Sequence, residues 1–139
     1  MELAPGDPII LQEVSHTFLT AGKDEQAIPF LEMYMEQIPD DADNWRDLVR
    51  AYLRTERYGK AIPLLEKLAG INPRDPASWS TLAGAYMAAE RYVEAREAIL
   101  KALRLDPNNP TFRVTLERLD ELLEPRGTRG SGEVRPRPP

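Results

Sequence analysis

The sequence predicts an all-α fold, a right-handed superhelix of seven helices that form three antiparallel pairs and one further helix. The first observation behind it is that Trp45 and Trp79 lie 34 residues apart, and Leu, Tyr, Ala and Pro residues recur around them at the same offset. The second is that Gly and Pro residues interrupt the chain between segments of helical length. A repeat of this size is one supersecondary unit, which buries its apolar face by stacking on copies of itself.

The first pair of helices is predicted from the residues at its boundaries. Asp7 can accept hydrogen bonds from the first backbone amides of a helix, and Pro8 suits the first helical turn. Gly22 supplies the turn after the first helix, and Pro39 stops the second. We therefore expect helices over about 8–21 and 24–37.

The second and third pairs are predicted from similar boundaries further along the chain. Gly70 and Pro73 end the second pair, and Pro107 ends the third. The expected helices cover about 42–55 and 58–69, and then 76–89 and 92–105.

A last helix, from Pro110 to residue 124, has no second helix to complete its pair. Four apolar residues share one face of it at helical spacing: Phe112, Leu116, Leu119 and Leu123. We expect this face to cover the end of the third pair, as a terminal repeat must for solubility. Val114 and Leu122 lie off this face and are expected to be exposed.

The residues within the period resemble a known family, the tetratricopeptide repeat, whose pattern is W-x-x-L-G-x-x-Y, then A-x-x-x-F, then P. Two copies match it closely: Trp45-x-x-Leu48-Val49-x-x-Tyr52 with Ala61-x-x-x-Leu65 and Pro73, and Trp79-x-x-Leu82-Ala83-x-x-Tyr86 with Ala95-x-x-x-Ile99 and Pro107. A degenerate copy precedes them, with Leu11, Val14, Phe18, Ala27, Leu31 and Pro39 at the same places. No copy has the Gly of the pattern.

The resemblance implies a domain over 8–124, with repeats at about 8–41, 42–75 and 76–109 and a capping helix at 110–124. Residues 1–7 form a short lead. Residues 125–139 are rich in Pro, Gly and Arg, and they carry too little apolar surface to fold, so we expect a disordered basic tail. The resemblance also implies a non-enzymatic adaptor that binds a peptide or segment of a partner protein in a concave groove.

Composition narrows the classes of function. The chain has 139 residues and a net charge of −5, which makes binding to nucleic acid or to an anionic membrane improbable. It has no Cys and a single His, and it shows no Gly-rich phosphate loop or other catalytic motif, so we expect no enzyme activity, cofactor or metal. Asp40-Asp41-x-Asp43 lacks the rest of a calcium loop and is predicted to be a turn and helix cap. No apolar run approaches the length of a membrane span, and we expect a cytoplasmic protein.

The predicted groove follows from the two sides of the helix at 42–55. Trp45, Leu48 and Tyr52 fall on one face, which is expected to be core, whereas Arg46, Arg50 and Arg54 point the other way. In proteins similar to this one, that other side lines the peptide groove. Shifting by one period in each direction and adding the neighbouring apolar row gives ten candidate site residues: Gln12, His16, Leu19, Arg46, Arg50, Leu53, Arg54, Ser80, Gly84 and Met87.

Such a groove favours a partner that combines acidic and apolar side chains. The competing interpretation is that the arginines form only a solvated stripe, which Asp43 and Asp47 partly neutralise. Some tetratricopeptide proteins bind chaperone C-termini through a Lys/Asn/Arg clamp. The positions that match the clamp here do not fit that ligand: Gln12, His16, Asp47, Ala77 and Thr81.

A second function from a different class also agrees with the sequence. Met33, Tyr34 and Met35 make the second helix unusually apolar, and Leu122 adds an apolar position on the last helix. These patches favour a structural or assembly subunit that forms a homo-oligomer or scaffolds a larger complex. RNA binding through the arginines and the basic tail is disfavoured by the acidic body.

Overall fold

The computed structural model of the protein describes Ala4 and residues 6–124; the predicted disordered tail and most of the predicted lead lie outside the described residues. Over the described part the chain forms seven helices and no strand. They are α1 Pro8–Thr20, α2 Asp24–Gln37, α3 Ala42–Arg54, α4 Tyr58–Ile71, α5 Pro76–Ala88, α6 Tyr92–Leu105 and α7 Pro110–Leu123. The predicted all-α helical-repeat fold is confirmed, and only α4 ends two residues later than expected, because Gly70 is accommodated within its last turn.

The starts of four helices share one device, a side-chain cap. Asp7, Asp41, Asp75 and Asn109 each accept backbone N–H groups from the first turn of α1, α3, α5 and α7 at 2.9–3.3 Å. These caps satisfy amides that have no partner within the helix. They recur every 34 residues, and the cap at Asn109 makes α7 equivalent to the first helix of each pair.

The turn after the first helix of each pair also recurs. Gly22, Glu56 and Glu90 have positive φ angles of 72°, 60° and 61°. The next amide then donates to a carbonyl five residues earlier, at 2.7–2.8 Å: Lys23 to Phe18, Arg57 to Tyr52 and Arg91 to Tyr86. This is the Schellman arrangement, which normally places glycine at the left-handed position. Only the first of the three turns has that glycine.

The chain divides into two compact units, the first ending at Asn72 and the second beginning at Pro73. In the first unit α2 packs against both α1 and α3, and α3 packs against α4. Leu11, Leu31, Leu48 and Ile62 are its largest fully buried side chains, and they come from all four helices. The rings of Phe18 and Phe30 stack with centroids 5.8 Å apart, and this contact joins α1 to α2.

In the second unit α6 packs against both α5 and α7. The buried alanines Ala95, Ala98 and Ala102 keep one side of α6 small, which permits close approach of a neighbouring helix. An ion pair of 2.6 Å between Arg96 Nε and Asp120 Oδ1 joins α6 to α7.

The apolar face of α7 behaves as its spacing predicts. Phe112 and Leu119 are buried, and Leu116 and Leu123 are half-buried. The two residues off this face, Val114 and Leu122, are 63% and 40% exposed.

The two tryptophans are less alike than the sequence suggests. Trp45 is buried, and its indole N–H has no hydrogen-bond partner among the described residues. Trp79 is only half-buried, and its indole N–H donates to the Pro73 carbonyl at 2.8 Å. The ammonium groups of Lys67 and Lys101 lie over the respective rings, 5.8 and 4.4 Å from the centroids. The expectation of a core tryptophan therefore holds for Trp45 and only in part for Trp79.

Two glycine substitutions test the turn geometry. Gly22→Ala is expected to destabilise the protein by about 1 kcal/mol, because alanine is strained at a φ of 72°. Gly84→Ala is the matched control within α5, where an added Cβ meets no atom within 4 Å, and it is expected to stabilise by about 1 kcal/mol. Denaturant unfolding followed by circular dichroism measures both changes. Equal effects of the two substitutions would contradict the assignment of Gly22 to a required left-handed turn.

Candidate functional site

Helix α3 carries the candidate site, and its two faces differ sharply. Trp45, Leu48 and Tyr52 are buried against the rest of the first unit. The side chains of Arg46, Arg50 and Arg54 are 58%, 55% and 56% exposed. The predicted separation of a packing face from a cationic face is therefore present in α3.

Each arginine of this row has an acidic neighbour. The pairs are Arg46 with Asp43 at 3.0 Å, Arg50 with Asp47 at 3.6 Å and Arg54 with Asp24 of α2 at 3.5 Å. Exposed pairs of this kind contribute only about 0–1 kcal/mol each to stability. The charge of the row is thus partly balanced, but a carboxylate from another molecule can displace such weak partners at small cost.

A pocket of about 310 Å³ lies between α1 and α3 in the first unit. It exists because both helices pack against α2. Its lining is Gln12, Glu13, Ser15 and His16 from α1, Leu31 from α2, and Asp43, Asn44 and Asp47 from α3. Of the predicted site residues, the pocket brings Gln12 and His16 together, while the three arginines do not line it.

The pocket is acidic. Glu13, Asp43 and Asp47 supply carboxylates, and neither Lys nor Arg lines the cavity. Glu13 makes no ion pair with any described residue. Asn44 is 8% exposed, and its Nδ2 donates to the Leu31 carbonyl at 3.3 Å.

The sequence contained a signal for this pocket that the arginine pattern obscured. Glu13 and Asp47 are 34 residues apart, so they hold equivalent positions in the first two repeats, and both carry a carboxylate. Treating Asp47 only as a neutralising neighbour of the arginines left that equivalence unused.

The other candidate residues are dispersed between the two units. In the first unit, Leu19 and Leu53 are half-buried, and their remaining surface is apolar. In the second unit, Ser80 and Met87 are half-buried and Gly84 is exposed on α5. These three stay a sequence-based prediction.

A hydrogen bond anchors the start of α3, next to the pocket. Tyr34 Oη donates to Asp41 Oδ2 at 2.8 Å, while Oδ1 of the same carboxylate caps the helix. The bond from Tyr34 lowers the pKa of Asp41, and the backbone amides of Asn44 and Asp43 lower it further. The same bond raises the pKa of Tyr34.

A similar pair lies on the other side of α3. The Tyr52 hydroxyl donates to Glu32 at 2.6 Å, and burial followed by this bond raises the pKa of Tyr52. Both tyrosines therefore act here as neutral hydrogen-bond donors that connect α2 to the chain at or within α3.

Other kinds of site find little support in the described residues. Within residues 6–124 no three His, Cys, Asp or Glu side chains cluster closely enough to hold a metal ion. None of the seven helices has the length and apolar character needed to cross a membrane.

Comparison with known proteins agrees with the repeat geometry. Residues 52–119 match the family model described as tetratricopeptide repeat. The chain carries tetratricopeptide repeats. No curated protein sequence is similar enough to the chain to count as a match.

Solved tetratricopeptide-like structures share the fold. The RS-1 ArsTM double mutant of MamA is 22% identical with a TM-score of 0.74, over 88% of this chain and 69% of its own. The 41-end form of MamA from Desulfovibrio magneticus RS-1 is 23% identical with a TM-score of 0.71, over 83% and 65%. The first TPR of Spaghetti (RPAP3), bound to the HSP90 peptide SRMEEVD, is 20% identical with a TM-score of 0.67, over 88% and 98%. The chain thus spans about two thirds of the MamA chains, and at these identities the likeness concerns the fold.

The anchor of α3 is tested by Tyr34→Phe, which removes the hydroxyl from Asp41. The pKa of Asp41 is expected to rise toward its ordinary value, and stability at neutral pH to fall by about 1 kcal/mol. Because the folded protein lowers this pKa, its contribution is present above the ordinary value and is lost as pH falls through the lowered one. The difference between variant and wild type should therefore shrink in acid.

NMR titration of the aspartate carboxyl groups measures the Asp41 pKa, and denaturant unfolding at several pH values measures stability. Tyr92→Phe is the control, because the Tyr92 hydroxyl has no partner among the described residues. An unchanged Asp41 titration in Tyr34→Phe would show that the bond has no energetic role.

Proposed function

We propose that this protein is a non-enzymatic adaptor that binds a segment of a partner protein on the exposed side of α1 and α3. The observation that carries the proposal is the row of Arg46, Arg50 and Arg54, which lies on the face of α3 opposite its buried residues. Folding makes little use of that row, since its ion pairs are exposed and weak.

The chemistry of this surface favours a mixed partner. The guanidinium groups can donate paired hydrogen bonds to carboxylates, and each such bond is worth about 1.5–3 kcal/mol when sheltered from water. Leu19 and Leu53 add apolar surface at equivalent positions of α1 and α3. Gln12 and His16 extend the polar side of α1. A segment with acidic and apolar side chains fits these groups.

The RPAP3 structure was solved with a bound HSP90 peptide, which supports peptide binding as a use of this fold. The same ligand is not proposed here. Asp47, at one of the positions that a chaperone clamp would use, carries a negative charge into the pocket and pairs with Arg50. A C-terminal carboxylate would be repelled at that point, so the proposed partner presents internal acidic side chains to the arginine row.

Assembly through apolar surfaces is the second candidate. Val114 and Leu122 of α7 are exposed, and Met33 of α2 is 42% exposed. Tyr34 is buried and bonded to Asp41, so the apolar patch predicted on the second helix is smaller than the sequence suggests. Light scattering over a range of concentrations separates the two candidates, since a monomer at every concentration favours the adaptor.

The adaptor function is tested by reversing Arg46, Arg50 and Arg54 together to Glu. Affinity capture by cross-linking with the wild-type protein identifies the partner, and titration then compares the variants. The triple variant is expected to lose at least about a hundredfold in affinity, because charge-assisted bonds are replaced by repulsion. Wild-type binding should also weaken as salt rises, since an open surface is screened.

A matched control reverses three exposed cations outside the row, Lys23, Arg74 and Arg104, which form no ion pair with any described residue. It has the same change in net charge and is expected to keep its affinity. Circular dichroism establishes that both variants are folded. Undiminished binding by a folded triple variant, or equal losses in the two variants, would refute the arginine row as the binding surface.

A further inference from the structure

We infer that the acidic pocket between α1 and α3 takes the guanidinium group of an arginine side chain from the bound partner segment. The inference rests on the proposed function for the source of that side chain. It adds a second, opposite charge requirement to a surface whose arginine row selects acidic groups.

The carboxylates lie on both sides of the cavity. Glu13 is on α1 and Asp47 is on α3, and Asp43 lies one helical turn before Asp47. A guanidinium is planar and carries five N–H donors in a fixed fork, so it can donate to acceptors on both sides at once. A lysine ammonium is a compact point charge and matches this spread of acceptors less well.

Asn44 gives independent evidence that the pocket is built for a hydrogen-bond donor. Its side chain is more than nine-tenths buried and lines the cavity. The bond from Nδ2 to the Leu31 carbonyl fixes the amide orientation, since a flipped amide would set oxygen against oxygen. Oδ1 is left without a partner in the described structure. A buried acceptor left unpaired is costly, and a donor that enters the pocket removes that cost.

The charges around the pocket leave a net attraction for a cation. Asp43 and Asp47 are paired with Arg46 and Arg50, which lie outside the lining, while Glu13 has no ion pair with a described residue. Three carboxylates therefore face two guanidinium groups. Both existing pairs are exposed, so an incoming guanidinium can share their carboxylates.

The size of the pocket restricts its occupant. Its volume of about 310 Å³ equals that of roughly ten water molecules in the liquid. That is room for one long side chain and not for a helix. The described acidic and imidazole groups do not cluster as metal ligands, which leaves an organic cation as the match for their charge.

The test needs no partner protein. N-acetyl-arginine amide is titrated into the full-length ¹⁵N-labelled protein, and backbone amide shifts are followed by NMR. N-acetyl-citrulline amide, which has the same shape without the charge, is the matched probe. We expect saturable shifts centred on Gln12, His16 and Asn44 with a millimolar dissociation constant, and at least about tenfold weaker binding of the neutral probe.

Paired variants make the test specific. Glu13→Gln combined with Asp47→Asn removes two pocket charges and should weaken binding of the arginine probe at least about tenfold. Glu36→Gln combined with Glu97→Gln removes two exposed charges elsewhere and should leave binding unchanged. Equal binding of the two probes, shifts scattered outside the pocket, no saturable shift, or equal affinities of the two variants would each overturn the inference.

The outcome is independent of the adaptor test. If the arginine-row reversal abolishes partner binding but the pocket binds no arginine probe, the adaptor function stands and the pocket inference fails. If the probe binds but the reversal has no effect, the pocket is a cation site and the proposed adaptor surface is wrong.

Discussion

The recurring geometry of the helix ends is the constraint on which the rest of the structure depends. Side-chain caps at Asp7, Asp41, Asp75 and Asn109 and left-handed turns at Gly22, Glu56 and Glu90 hold the same spacing along the chain. A helix that starts and stops at fixed points presents the same register positions to its neighbours in every repeat. The buried face of α3 and its arginine row are therefore consequences of where the helix begins.

Equivalent positions then acquire different chemistry, and that is where function enters. One register position holds Glu13 and Asp47, and another holds His16 and Arg50. Two kinds of charge therefore occupy neighbouring strips of the same surface in the first unit. A ligand that carries only one sign of charge meets attraction on one strip and repulsion on the other. Discrimination between partners therefore depends on the order of charges along a segment more than on its net charge.

Most of the fold was predictable because helix boundaries are local. Asp7, Gly22 and Pro39 act through their own backbone geometry, so the expected and observed helices agree within two residues. The turns at Glu56 and Glu90 were not predictable, because glutamate has little preference for positive φ and adopts it here to close the same motif as Gly22. The half-burial of Trp79 also escaped prediction, since the repeat pattern specifies a packing face and not the depth of each copy. The arginine row was visible in the sequence. The pocket was not, because α1 and α3 are distant in sequence and are brought into proximity by packing against α2.

The unlike surroundings of the two tryptophans have a practical consequence. Trp45, in the first unit, is enclosed by apolar groups with an unpaired indole N–H, whereas Trp79, in the second, is half-open and bonded to the Pro73 carbonyl. Indole fluorescence moves to longer wavelengths as the ring meets polar surroundings, so the emission of Trp45 lies to the blue of that of Trp79. Each half of the molecule thus contains its own intrinsic fluorophore, and the loss of structure in one half can be followed spectrally apart from the other without any introduced label.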